Sequence, residues 1–422
     1  MRTRAPGSTT VSTPDPARTA RRRAGQRRTA LVAAALALTG SLVACSTTSD
    51  GPAASGSGSG AGASGASETP RVDPVRLDTS FADPTSVPID RPVTVRTSGG
   101  TLADVEVTSA AGTLTGKVSD GTWTSSTLLE PGTDYTITAD ATRSDGQSVQ
   151  RTRSFHTVDL TLDEQTFAAV APLNGETVGV GMPVIVTFDL PVTDKALFEK
   201  HMRVTSTPAQ KGSWYWLNDR EAHFRPATYW RAGTEVSVDL DINSLPAGNG
   251  IYGQESREVS FNIGDAHVYK VNAQTHQMQV FSNGKLLRTL PITTGKPGFV
   301  TRSGTKVIIE KFAKKRMNSE TVGINRNSPE AYDIDDVRWA MRVTYSGEFI
   351  HAAPWSVGSQ GYANVSHGCT GMSTADAGWL YAMSRRGDVV EYTGTDRQMT
   401  LENGYGDWNL SPADWKTGSA LS

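Results

Sequence analysis

Only two cysteines, Cys45 and Cys369, occur in 422 residues, so the chain has no disulfide framework to hold it together. Net charge is equally scarce. With 41 basic side chains against 43 acidic ones, neither sign is in enough excess to favour a nucleic acid or another polyanion as partner. The apolar stretch from Ala30 to about Ala44 is shorter than the ~20 apolar residues a membrane-spanning helix needs. From Ser46 to Pro70 the chain holds only Ser, Gly, Ala, Thr, Pro, Asp and Glu, which excludes a packed core there. That segment is predicted to be a flexible tether with an r.m.s. span of about 25 to 30 Å.

What precedes the tether has the order and polarity of an export signal. Arg21, Arg22, Arg23, Arg27 and Arg28 lead into the apolar stretch, and Cys45 follows it. Leu42-Val43-Ala44-Cys45 resembles the bacterial lipobox, which implies lipidation of Cys45 and removal of residues 1–44. Lipid and tether together predict a protein exported to the outer face of the cell membrane and facing the cell wall. If Cys45 carries lipid, Cys369 has no partner within the chain and is left as a reactive thiol.

Residues 71–264 contain an internal repeat. Glu130-Pro131-Gly132-Thr133-Asp134-Tyr135-Thr136-Ile137-Thr138-Ala139 corresponds to Arg231-Ala232-Gly233-Thr234-Glu235-Val236-Ser237-Val238-Asp239-Leu240. Each copy is a Gly turn followed by strict alternation, as a strand with one buried face requires. Similar closing strands follow at Ser154–Asp159 and Ser260–Asp265. Two β-sandwiches of immunoglobulin size are predicted, at 71–158 and 159–264. Asp120-Gly121 and Asp145-Gly146 mark hairpins in the first. Neither copy holds a cluster of His, Cys or carboxylates, so both read as spacer or docking modules, with His156, His201 and His223 as ordinary surface or core residues.

A second β-rich region is predicted at 265–394, followed by a C-terminal tail at 395–422 packing on it. Strands are expected at Val268–Val271 and Gln277–Phe281, at Leu286–Leu290 after the Asn283-Gly284 turn, at Lys306–Glu310, at Phe349–His351 and at Val389–Tyr392. One short helix is predicted after Ser373, capped by Ser373 with Asp376 three residues on and stopped by Gly387.

The chemistry concentrates just before that helix. A catalytic thiol needs a neighbouring imidazole or other positive group to form its thiolate, and His367 and His351 both meet that need on sequence alone. Gly368 suits close approach of backbone N–H groups to an oxyanion, where a side chain would crowd the substrate carbonyl. The alternation and spacing also permit His351, His367 and Cys369 as three zinc ligands with an open position.

His351-Ala352-Ala353-Pro354-Trp355-Ser356-Val357-Gly358, followed by Ser366-His367-Gly368-Cys369, resembles the signature of L,D-transpeptidases with a YkuD-type catalytic domain, in particular the mycobacterial and related actinobacterial members. Thr294-Gly295-Lys296-Pro297-Gly298, Met317-Asn318-Ser319, Tyr345-Ser346-Gly347 and Gly406-Asp407-Trp408-Asn409 support it. The resemblance implies a mainly β chain, with two immunoglobulin-like sandwiches before the catalytic domain. It implies Cys369 as nucleophile and His351 as base in a thiolate–imidazolium pair. His367 and Gly368 would shape the loop, with nearby backbone N–H groups as oxyanion hole. Tyr332, Ser346, Gly347, Gly371, Trp355 and Met317 would face substrate.

Two positions depart from the family pattern: Ala352 stands where Ser is usual, and Gly371 where Asn is usual. Ala352 suffices if that position orients the imidazole through its backbone carbonyl. The implied substrates are peptidoglycan tetrapeptide stems with diaminopimelate, joined 3→3 without cofactor or metal, and carbapenems are implied as inhibitors. Carboxypeptidase action or D-amino-acid exchange through the same acyl-enzyme, and a decayed wall-binding lipoprotein, are the alternatives. A papain-like endopeptidase is disfavoured because there Cys precedes His along the chain.

Overall fold

The computed structural model describes residues 72–422, so the predicted signal, Cys45 and the tether lie outside the described residues. Alternation builds the first sandwich. Along Asp134–Arg143, Tyr135, Ile137, Ala139 and Ala141 turn inward, as a period of two requires. This strand lies between Gly100–Ser109 and Ser148–His156 in one four-stranded sheet. The facing sheet runs Arg76–Thr79, Thr94–Ser98, Thr122–Ser125, Gly116–Ser119, and Trp123, Leu129 and Phe155 fill the space between. Asp120 and Gly121 take φ of 50° and 71°, the left-handed pair that a two-residue hairpin turn demands.

The repeat is a repeat of hydrogen bonds as well as of letters. Gly132 N–H donates to Val158 O at 2.9 Å, and Gly233 N–H to Ile263 O at 3.0 Å. Both glycines have positive φ, 57° and 75°. In the second sandwich Glu235–Leu240 and Arg257–Ile263 pair between Thr177–Val178 and Met202–Thr207, opposite a sheet built around Val184–Phe188 and Glu221–Pro226. Unlike the first, it contains a helix, the short Lys195–Lys200.

Its core does not close on itself. Val307, Ile309, Val389 and Tyr405 belong to the same buried cluster as Val180, Met182 and Val184. Contact there is backbone to backbone: Gly179 N–H donates to Arg386 O and Gly181 N–H to Gly387 O, each at 2.8 Å. A Cβ on Gly181 would stand 2.5 Å from Val389 Cγ2, closer than any real side chain sits.

The last region has two sheets. One runs Lys285–Pro291, Gln277–Ser282, His267–Asn272, Val389–Thr393, Gly304–Val307; the other runs Glu310–Asn318, Asp333–Arg342, Phe349–Ala352, Thr370–Met372. Tyr269, Ile308, Met341, Ile350 and Leu380 form their common core. Two expectations change here. Lys306–Glu310 is not one strand, because the chain leaves the first sheet after Val307 and enters the second at Glu310. The helix Thr374–Met383 has the Ser373 cap but ends at Ser384, whose hydroxyl donates to Leu380 O at 2.6 Å, before Gly387 is reached.

The tail, expected on the catalytic region, straps the second sandwich as well. Trp415 Nε1 donates to Ser213 O at 2.9 Å, and Arg225 lies between the rings of Trp408 and Trp415, 4.7 and 4.5 Å from their centroids. His223 is no ordinary core residue. Buried, it bonds Asp407 at 2.7 Å and Glu221 at 2.8 Å. Burial opposes its charge, but the two carboxylates outweigh burial and raise its pKa to about 9.

Candidate active site

Parallel pairing of Phe349–Ala352 with Thr370–Met372 sets His351 opposite Gly371, and Cys369 immediately precedes the second strand. His351 and Cys369 thus line one cavity of ≈ 320 Å³. The His351 ring is buried, and its Nδ1 stands 2.8 Å from Ala352 O. A carbonyl only accepts, so Nδ1 carries the proton and Nε2 is left as the basic nitrogen. The backbone carbonyl of Ala352 therefore orients the ring.

The Cys369 loop is tied internally. Gly368 N–H donates to Ser366 Oγ at 3.1 Å, Ser366 Oγ donates to Cys369 O at 2.6 Å, and Thr301 Oγ1 donates to Gly368 O at 2.8 Å. The Gly368 N–H is thus engaged within the loop. The nearest atoms to an added Cβ would be 3.6 Å away, so space does not demand glycine, but a φ of 118° does.

The Cys369 thiol points to Gly347 O at 3.6 Å. Burial is the main influence on it and raises its pKa to about 11. Burial also lowers His351. Both shifts disfavour the charged forms and so oppose the ion pair that the resemblance implies, because two charges in a dry cavity lose their hydration.

Met317 and Tyr332 line the cavity and also a second one of ≈ 280 Å³ that reaches Cys369 from the side of Gly347 and Arg342. Burial first, then the nearby thiol, pushes Tyr332 up to about 12, so its phenol stays protonated. Trp355 stacks near His351 with 5.9 Å between centroids while more than half exposed at the mouth. Ser346 is outside both linings; its hydroxyl meets Asn403 Nδ2 at 3.0 Å and Thr344 Oγ1 at 3.2 Å.

Gly371 lines the cavity with its N–H and C=O both bonded to Thr293 at 2.9 Å. A Cβ there would lie 2.9 Å from Ala353 Cβ and 3.1 Å from Thr293 Cγ2, so the site is packed for glycine. Thr293 and Ser356 are the polar residues lining that side.

His367 also lines the cavity, but its Nε2 is bonded to Glu330 at 2.7 Å, and Glu330 in turn meets Lys296 at 2.5 Å. Each histidine thus has one ring nitrogen bonded, Nδ1 of His351 to Ala352 O and Nε2 of His367 to Glu330. Among the described residues no group of three or more His, Cys, Asp or Glu is gathered to hold a metal ion. Residues missed from sequence are Glu330, Arg302, Lys306 and Glu348. The one available signal was a charge inside an apolar run, as at Lys306 before Val307-Ile308-Ile309 and at Glu348 before Phe349-Ile350.

Comparison with known proteins agrees with this geometry. Residues 84–246 match a bacterial Ig domain and residues 266–391 an L,D-transpeptidase catalytic domain. L,D-transpeptidase 2 of Mycobacterium tuberculosis is 36% identical over 338 residues, covering 79% of this chain and 82% of the relative. L,D-transpeptidase 5 of the same species is 35% identical, covering 79% and 74%. A solved L,D-transpeptidase in complex with imipenem is 37% identical and covers 55% of this chain and 99% of its own, with a TM-score of 0.49. With immunoglobulin-like β-structure leading into that catalytic domain and the relatives matched over most of their length, the chain belongs to the L,D-transpeptidase family.

Proposed function

We propose that the protein forms 3→3 peptidoglycan cross-links through a thioester on Cys369. The observation that carries this reading is the shared cavity of Cys369 and His351, with Nδ1 of His351 held on Ala352 O so that Nε2 is basic. As the substrate carbonyl arrives, Nε2 takes the thiol proton and sulfur attacks the bond between diaminopimelate and the terminal D-Ala of a tetrapeptide stem. The imidazolium returns that proton to the leaving amine, D-Ala departs, and the thioester remains. A side-chain amine of a second stem then attacks the thioester carbonyl, His351 accepts its proton, and the C–S bond breaks as that proton returns to sulfur. Water or a D-amino acid as acceptor gives the carboxypeptidase or exchange outcome from the same thioester.

Oxyanion stabilisation falls to N–H groups of the Cys369 loop other than that of Gly368, beside the protonated Tyr332 phenol. Met317 and Trp355 bound the pocket, and Gly347 holds the thiol through its carbonyl. The imipenem complex of a relative supports carbapenem acylation of the same thiol, the strained lactam carbonyl replacing the peptide. We assign catalysis to 265–394 and spacing to 71–264. Lipid on Cys45 would hold the protein on the outer face of the membrane, with the tether reaching towards the wall. Incubation with disaccharide tetrapeptide followed by muropeptide mass spectrometry tests the reaction: a 3→3 dimer with loss of D-Ala is expected, and release of D-Ala without any dimer would replace cross-linking by carboxypeptidase action.

A further inference from the structure

A second cluster of charge lies beneath the Cys369 loop and takes no part in the mechanism above. Lys306 is fully buried, with Nζ 2.6 Å from Glu348 Oε2 and 3.7 Å from the centroid of the Tyr392 ring. Glu348, also buried, accepts from the backbone N–H of Arg302 at 3.1 Å and from its guanidinium at 3.0 Å. Burying the Lys306 and Glu348 charges is costly unless each is paired, and a simple apolar filling would serve packing equally well.

Each member is one step from a group that holds the loop. Arg302 follows Thr301, which bonds Gly368 O; Glu348 follows Gly347, whose carbonyl receives the Cys369 thiol. Lys306 sits over Tyr392, whose hydroxyl meets Thr370 Oγ1 at 2.8 Å, next to Cys369. The cluster holds two cations against one carboxylate.

We propose that Arg302, Lys306 and Glu348 form an electrostatic positioning unit for Cys369, in which buried Lys306 favours the thiolate against the Glu348 carboxylate that disfavours it, while the hydrogen bonds of the unit steady the loop. Of the other groups around the thiol, Tyr332 and Tyr392 are kept neutral by burial, burial also pushes His351 towards its neutral form, His367 is bonded to Glu330, and Arg342, bonded to Glu310 at 3.1 Å, adds a cationic influence of its own. Burial lowers Lys306 to about 8, with Glu348 and the Cys369 thiol pulling the other way. It is therefore mainly charged at neutral pH. The proposal rests on Cys369 as nucleophile but concerns its ionisation, which is measurable without acyl transfer.

The test is the pH profile of iodoacetamide alkylation in the full chain, read by mass spectrometry on the peptide that carries Cys369. Lys306→Met leaves Glu348 without its buried cation, so the midpoint moves up and alkylation at pH 7 falls on the order of tenfold. Lys306→Arg keeps the charge and restores most of the rate. Glu348→Gln adds one positive charge to the balance and moves the midpoint down. The double variant Lys306→Met with Glu348→Gln has the native charge count and returns the midpoint close to the native value. A structural role alone predicts that all changes impair reactivity in one direction, and that result overturns the proposal. Should a single variant fail to fold, the double variant carries the test, and a midpoint displaced from the native one overturns it. Muropeptide cross-linking is scored separately, so loss of the transpeptidase reading leaves the alkylation result interpretable.

Discussion

The two sandwiches share a turn, a strand order and a glycine hydrogen bond, yet they are used differently. The first closes its own core around Trp123, Leu129 and Phe155 and meets the second through a few contacts, such as Ser244 Oγ to Leu129 O at 2.6 Å. The second shares its core with the region that carries Cys369 and is strapped to it by the tail. Sequence similarity between repeats therefore does not imply equal independence: the open face of a sandwich, and what covers it, decides whether it is a spacer or part of the catalytic body.

Truncation gives the largest expected contrast. A chain starting near Leu160 is expected to fold and acylate like the full protein, whereas one starting near Asp265 exposes the apolar faces of Val307, Ile309 and Val389 and should show weak thiol acylation with a broad, early melt. Equal carbapenem adduct yields from the two truncations, read by intact mass, would erase the distinction.

The catalytic readout has to be secure for that comparison. Cys369→Ala is expected to remove acylation completely while both sandwiches melt as before. His351→Gln should reduce acylation at neutral pH by a hundredfold or more, and the loss should be relieved only as pH climbs towards the thiol's value of about 11, well beyond the ~8.5 of an unburied cysteine. His367→Gln should disturb the Glu330 contact without that alkaline relief. Stopped-flow acylation between pH 6 and 11 distinguishes them, and relief already complete at pH 9 would mean the thiol is not desolvated.

Smaller effects probe the seam. Gly181→Val forces a side chain against Val389 and is expected to destabilise by about 2–3 kcal/mol, lowering acylation with it. His223 stabilises its charged form in the folded state, so its contribution is fully present below the unfolded value near ~6.5 and is lost as pH rises through about 9. Thermal melts should fall across that window, by about 2–3 kcal/mol in total, and His223→Gln should flatten the dependence.

The mildest comparison uses the repeated turn itself. Gly132→Ala and Gly233→Ala each place a Cβ at positive φ and should each destabilise by ~1 kcal/mol. Only the second is expected to be felt in acylation after mild heating. A matching loss from Gly132→Ala would show the first sandwich coupled to the active site after all.

What could be read from the chain without coordinates was what is local or periodic. Asp120-Gly121 and Asn283-Gly284 specify their hairpins through backbone preference alone, and Tyr135, Ile137 and Ala139 specify a buried face by alternation. Cys369 was legible as a leftover thiol with two candidate histidines, and the choice of His351 as base came from the resemblance of its surroundings and of Ser366-His367-Gly368-Cys369 to a family signature. The division into spacer and catalytic regions was drawn from the same patterns, but a pattern does not say what covers an open sheet face.

Tertiary structure alone decided the rest, because each remaining feature joins residues far apart in sequence. His367 was found bonded to Glu330, the His351 ring was found held on the carbonyl of Ala352, and the Gly368 N–H was found bonded to Ser366. Lys306 and Glu348 stand out only as charges beside apolar runs, with nothing to join the one to the other, and His223 and Asp407 look unrelated. Their meaning comes from burial beside one another, where low dielectric turns a pair of distant letters into a strong and specific interaction.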